Sequence, residues 1–218
     1  SLIMDFNDSQ QEAAFRKEAR DFLEANAEKR SIISDKPNDK NPQIAVAGAP
    51  ETVKGGKEAA QEALERAKVW QKKKAEAGFA AILWPKEFGG YGGSPIQQVI
   101  YSQEEHDYLV PSGYFEIGIG MLGPTMMVWG KDEDKKRYLP KMITGEEIWC
   151  QLFSEPSAGS DLAGIKMKAE KDGDEWVLNG QKVWTSGAHF ADYGMIVARS
   201  DPSALKHKGL TYFYLDMK

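Results

Sequence analysis

Hydrophobic periodicity changes once along this chain, near residue 147, and that change restricts the fold more than any motif does. Before it, apolar residues recur with helical spacing. "SQQEAAFRKEARDFLEANAEKR" opens on a Ser9-x-x-Glu12 capping box and sets Phe15, Ala19, Phe22 and Leu23 on one helical face. "KEAAQEALERAKVWQKKKAEAG" predicts a second helix with Ala60, Leu64 and Ala67 as its apolar stripe and Gly78 as its C-cap. Ser94, Pro95 and Gln97 together predict the start of a third. A glycine-rich apolar helix is expected over roughly 113–122. Pro124 is expected to open another, and Asp132 to cap a short one ending near Leu139. After Glu147 the period falls to two. "IWCQLFS", "KMKAEKDG", "EWVLNG", "QKVWTSG", "YGMIVARS" and "LTYFYLDM" read as strands, with an Asp-Gly turn in "DGDE" and a second turn at Asn179-Gly180. Helices followed by strands predict an α+β protein: an all-helical N-terminal domain over 1–147 and an antiparallel β domain over 148–218. Residues 31–57 break the helical pattern with Pro37, Pro42, Pro50, Gly48, Gly55 and Gly56, and read as a long loop inserted between the first two helices.

Composition narrows the function classes. Hydrophobic residues make up 41% and charged residues 28%, the balance of a globular protein, and the net charge of −5 argues against nucleic acid or an anionic membrane as the main partner. A local basic patch for a phosphorylated cofactor is still compatible with that charge. Cys150 is the one cysteine, so no intrachain disulfide and no cysteine-only zinc site can form. No run approaches the about 18 apolar residues of a membrane span, and the N-terminal residues show no signal-peptide pattern. A cytoplasmic location is expected, or the mitochondrial matrix for a eukaryotic chain.

Two motifs are decoys. "GIGMLG" (Gly118 to Gly123) spells the dinucleotide fingerprint, which requires a preceding buried strand in a βαβ unit. "VPSGYFEI" precedes it instead, so the glycines read as close helix packing or as backbone left bare beside an apolar substrate channel. The three histidines form no catalytic constellation: His106 lies in "EEHD", His207 between two lysines, and His189 alone after "WTSGA". Cys150 falls on an apolar strand, where a thiol is usually a small hydrophobe.

Two segments can carry chemistry. "QLFSEPSAGSD" ends a strand (Gln151, Phe153, Ser154) in a run of small residues, where backbone N–H groups and the hydroxyls of Ser154, Ser157 and Ser160 can approach a flat ring. "NGQKVWTSGAHFAD" places the Trp184 indole beside Thr185 and Ser186, a stacking face next to hydrogen-bond donors. Composition alone leaves open a simple chain corner or a cofactor cradle. The residues from Ser154 to Asp161, Asn179-Gly180-Gln181-Lys182 and Trp184-Thr185-Ser186 resemble the central β domain of the acyl-CoA dehydrogenases, which carries [ST]-E-P-x-A-G-S-D followed by N-G-x-K and W-x-[ST]. "GFAAILWPKEFGGYGGSPIQQVIYSQE" and "GKDEDKKRYLPKMITGEEIWCQLFSEP" are similar to flanking segments of that family, so the resemblance spans most of the chain outside 31–57. Ser157 stands where glycine is common and Thr185 where an aliphatic residue is common.

The resemblance implies FAD bound against a barrel-like β domain and an acyl-CoA thioester between flavin and helices. It implies that Gln151, Phe153 and Ser154 approach the isoalloxazine ring, Trp184 flanks it, Thr185 belongs to the cofactor-binding set, Ser186 bonds near N5, and Ser160 touches the CoA. The implied reaction is α,β-dehydrogenation to a trans-2-enoyl-CoA. Its electrons would go to an electron-transfer flavoprotein, within fatty-acid β-oxidation, in a dimer or homotetramer. The family's catalytic glutamate belongs to a C-terminal helical domain, and "GLTYFYLDMK" still lies in the β domain, so the resemblance assigns no base here. Glu155 matches the motif but sits in a loop before Pro156 and receives no catalytic role. The chain by itself is expected to bind FAD weakly and to form no enoyl-CoA. Alternatives within and beyond the fold are a flavin oxidase or monooxygenase, and a non-catalytic acyl-CoA-binding subunit.

Overall fold

Local sequence fixes the ends of the helices. In the computed structural model, which describes residues 8–31, 55–153, 155–156, 164–182, 187–201, 203–204 and 206–218, helix α1 (Gln10–Asn26) starts on the Ser9/Glu12 capping box. Helix α2 (Gly56–Ala77) ends at Gly78, whose φ of +87° admits a glycine at little cost while its N–H donates to Lys74 and Ala75 carbonyls. Helix α3 (Pro95–Glu105) starts on the Ser94/Gln97 box with Pro95 in its first turn. Helices α4 (Gly123–Trp129) and α5 (Asp132–Thr144) complete the helical part. Short strands β1 (Glu28–Lys29) and β2 (Tyr108–Leu109) pair antiparallel and close it off.

Four helical expectations change. Ala60 is exposed, and burial on α2 begins only at Ala67, Trp70 and Gln71, because the N-terminal turns of α2 run past the described core. Asp132 is the first helical residue, with Lys131 at the cap position. Helix α5 continues through Pro140 to Thr144, five residues beyond Leu139, carried by the buried Leu139, Met142 and Ile143. The glycine-rich stretch is a π-helical turn, Gly118–Leu122, running directly into α4. Most of the expected 31–57 loop lies outside the described residues.

The sheet contains β3 (Trp149–Leu152), β4 (Lys168–Asp172), β5 (Glu175–Asn179), β6 (Tyr193–Arg199) and β7 (Leu210–Asp216). The Asp-Gly hairpin joins β4 to β5 as read, with Asp172 opposite Glu175. The α+β class holds, but the sheet is mixed. Strands β4/β5 and β6/β7 are antiparallel, whereas β3 and β4 both run parallel to β6. Strand alternation cannot tell the two directions apart, since both have a period of two. The described strands follow an open path, β3-β6-β4-β5 with β7 on β6.

One buried cluster belongs to helices and sheet alike: Trp84, Leu122, Met126, Leu139 and Met142 pack with Trp149 and Met195. Tyr138, Trp149, Tyr193 and Tyr214 make edge and stacked contacts across this junction at centroid distances of 5.1 to 5.8 Å. Within the helices, the buried Glu104 on α3 accepts hydrogen bonds from Arg16 and Arg20 on α1, so the charge is paired where desolvation would otherwise exclude it.

Candidate functional site

Strand β3 and the residue after it carry two of the expected ring contacts. Its side chains alternate: Cys150 and Leu152 enter the core of the β domain, while Trp149 and Phe153 face the junction with the helices, which places Gln151 on that same side. Gln151 and Phe153 are half-buried there, and the Phe153 ring lies 5.7 Å from that of Tyr212. Strand β3 pairs with β6 on one edge, and no described strand occupies its other edge. That combination suits a flat heteroaromatic ligand: an edge without a partner strand among the described residues offers backbone donors and acceptors, and a half-buried amide and aromatic ring lie alongside. Ser154, Ser157, Ser160, Trp184, Thr185 and Ser186 lie outside the described residues.

Sequence reasoning missed what holds the two segments together. Glu155 is buried, with 3% of its surface exposed. Its Oε1 accepts hydrogen bonds from the backbone N–H of Lys166 (2.6 Å) and Met167 (3.2 Å), and its Oε2 accepts from the Lys182 ammonium at 2.6 Å. Lys182 Nζ also donates to the Phe153 carbonyl at 3.2 Å. Both partners of the ion pair are about 95% buried at the side chain. Burial pushes the Glu155 carboxyl upward, but the Lys182 ammonium and the two backbone amides outweigh it and hold the group below the usual carboxylate range. The two ends of the 153–167 segment are therefore joined at a neck, and Lys182 ties that neck to the second segment. Arg199 extends the anchorage: its N–H donates to Met167 O at 2.7 Å and its Nε to Ile165 O at 3.2 Å.

Gly180 makes the tie possible. A Cβ at this position would sit 2.9 Å from Met167 Cα, and φ is +151°. Only a glycine lets the chain leaving β5 press this closely on Met167 and deliver Lys182 to Glu155. A signal was present in the sequence, an acidic residue in a loop of small ones and a lysine two residues after a turn glycine. Their pairing across 27 positions was not.

The decoys resolve structurally. The Trp84 indole donates to the Ile119 carbonyl at 2.7 Å within the π-helical turn, and a Cβ on Gly123 would lie 2.3 Å from Trp84 Cζ2. The glycines of "GIGMLG" are packing residues, with Gly120 facing open space. Cys150 is buried in the β-domain core, and burial pushes its thiol up to about 11. His106 lies at the C-terminal end of α3, and His189 packs edge-on against Phe190. Among the described residues no cluster of histidine, cysteine and carboxylate side chains is arranged to hold a metal ion.

Residues 9–146 match the acyl-CoA dehydrogenase N-terminal domain and residues 150–218 the acyl-CoA dehydrogenase middle domain. The chain belongs to the acyl-CoA dehydrogenase family. Acyl-CoA dehydrogenase IpdE1 of Mycobacterium tuberculosis is 39% identical over 163 residues, covering 75% of this chain and 42% of its own length. Acyl-CoA dehydrogenase FadE34 of the same organism is 46% identical over 143 residues, 66% of this chain and 20% of its own. Among solved structures, the Tcur3481-Tcur3483 steroid ACAD superposes with a TM-score of 0.70 at 32% identity, over 98% of this chain and 49% of that one. The chain thus spans less than half the length of these acyl-CoA dehydrogenases.

Proposed function

We propose that this chain supplies the flavin-facing and substrate-facing parts of an FAD-dependent acyl-CoA dehydrogenase that converts an acyl-CoA thioester to its trans-2-enoyl form. The observation that carries the reading is the half-buried pair Gln151 and Phe153 on the junction side of β3, with the Phe153 carbonyl held by Lys182 and Lys182 in turn paired with Glu155. FAD, when bound, supplies the acceptor for the hydride that leaves the substrate Cβ. The chain's own residues bind and orient. Gln151, Phe153 and Ser154 line the ring, Trp184 and Thr185 cover it, and Ser186 donates beside it. Ser160 holds the CoA portion. Donors aimed at the ring stabilise the negative charge that develops on reduction. No base is assigned to this chain, because the family's glutamate base belongs to its C-terminal helical domain.

A steroid ACAD stands among the structural relatives, so steroid acyl-CoA thioesters belong in the substrate panel beside fatty acyl-CoAs. An electron-transfer flavoprotein as oxidant, a homo-oligomeric assembly and a location in the cytoplasm or the mitochondrial matrix complete the proposal. No helix among the described residues is long and apolar enough to cross a membrane.

The test begins with FAD titration of the 218-residue chain, followed by visible circular dichroism. Weak, saturable binding is expected, without enoyl-CoA formation by this chain alone. No binding overturns the flavin reading. Enoyl-CoA formation overturns the assignment of the base to a residue outside the chain.

A further inference from the structure

We propose that Glu155 and Lys182 are positioning residues: a buried clasp that ties the Phe153 peptide and the Lys166–Met167 backbone to the chain leaving β5, and so presets the β3 side of the ring-binding surface before any ligand arrives. This rests on the flavin reading above.

Three observations carry it. First, the contacts converge. One carboxylate accepts from two consecutive backbone amides at the far end of its own segment and from a lysine of the other segment. The same lysine donates to the carbonyl of Phe153, one of the expected ring contacts. The ammonium thus fixes the peptide next to the ring as well as the neck of the loop.

Second, the pair is placed where it can serve only if both segments are present. Removing either partner leaves a charge in a site shielded from water. Shielded hydrogen bonds to charged groups hold geometry more tightly than exposed ones.

Third, the backbone is arranged for it. Strands β3 and β4 both run along the same edge of β6, so the chain leaves that edge after Leu152 and regains it at Lys168. Glu155 and Met167 lie on either side of that gap. Gly180 allows the approach that brings Lys182 within reach.

Amide hydrogen exchange and flavin binding test this together, on the 218-residue chain with FAD as the probe. In the wild type the Lys166 and Met167 amides should be protected. Glu155→Gln and Lys182→Met should each speed their exchange at least tenfold while the β6 amides of Met195 to Ala198 stay protected. Both variants should weaken FAD binding on the order of tenfold, the scale at which outer partners of a ligand site act. They should also change the visible circular dichroism of the bound flavin, which a purely structural role would leave alone. Lys182→Arg, which keeps the charge, should restore part of both.

Unchanged exchange at Lys166 and Met167 overturns the clasp. Faster exchange with unchanged FAD affinity and an unchanged flavin spectrum overturns its positioning role. If Lys182→Met also strips protection from β6, the milder Glu155→Gln and Lys182→Arg decide by the same criteria. A wild-type chain that takes up no FAD while its amides respond as described overturns the flavin reading and leaves the clasp standing as a structural lock.

Discussion

Glu155 sits where burial opposes its charge and three donors favour it: the Lys182 ammonium and the amides of Lys166 and Met167. Its folded pKa lies below that of the unfolded chain, so the fold favours the ionised form. The stabilisation from this group is therefore complete above the unfolded value near pH 4.3 and is lost as the pH falls through the folded value. Urea midpoints should show it: Glu155→Gln lowers stability at pH 7, and its deficit shrinks as both proteins are taken below pH 4. A deficit that stays constant down to pH 3 contradicts the charge-based account. Lys182→Met strands the carboxylate instead and should cost about 3 kcal/mol or more at pH 7. Gly180→Ala tests the backbone beneath the pair. With Met167 Cα in the way and φ positive, the methyl should destabilise by roughly 1–3 kcal/mol, read from the same urea midpoints.

Elements were legible to different depths. The capping residues Ser9, Ser94 and Gly78 act within a few positions of themselves, and the helices they delimit start or stop there. The Asp-Gly hairpin is local in the same sense. The end of α5 was not, because Pro140 reads as a stop while tertiary burial of Met142 and Ile143 carries the helix past it. The direction of β3 relative to β6 depends on contacts 44 residues apart, such as Trp149 with Tyr193, and nothing in alternation encodes it. For the candidate site, the residue types on β3 could be read from one strand, whereas the Glu155–Lys182 tie needed the fold. The π-helical turn shows the same limit. Its glycines suggested close packing, but not that the Trp84 indole would take the Ile119 carbonyl. Trp84→Phe keeps the ring and removes that donor. A loss of about 1–3 kcal/mol in thermal or urea unfolding is expected, mostly from the carbonyl left unpaired.

Across the whole molecule, helices and sheet share one core through Trp84, Met126, Trp149 and Met195, so the two halves should unfold together. Far-ultraviolet signals dominated by the helices and aromatic signals from the Tyr138, Trp149 and Tyr193 cluster should therefore give coincident transitions. Two separated transitions would show that the junction does not couple them. Saturating FAD should raise both midpoints equally, because a ligand bound at the junction stabilises whatever unfolds with it. The course of the chain along β6 has a consequence of another kind. A strand edge that is left at Leu152 and regained at Lys168 makes everything between a detour, and the length of a detour is free. Insertions or deletions between the Glu155 and Lys166 gateposts would change the length of that stretch while leaving every register in the sheet unchanged. A lineage could therefore vary it one residue at a time without rebuilding the scaffold on either side.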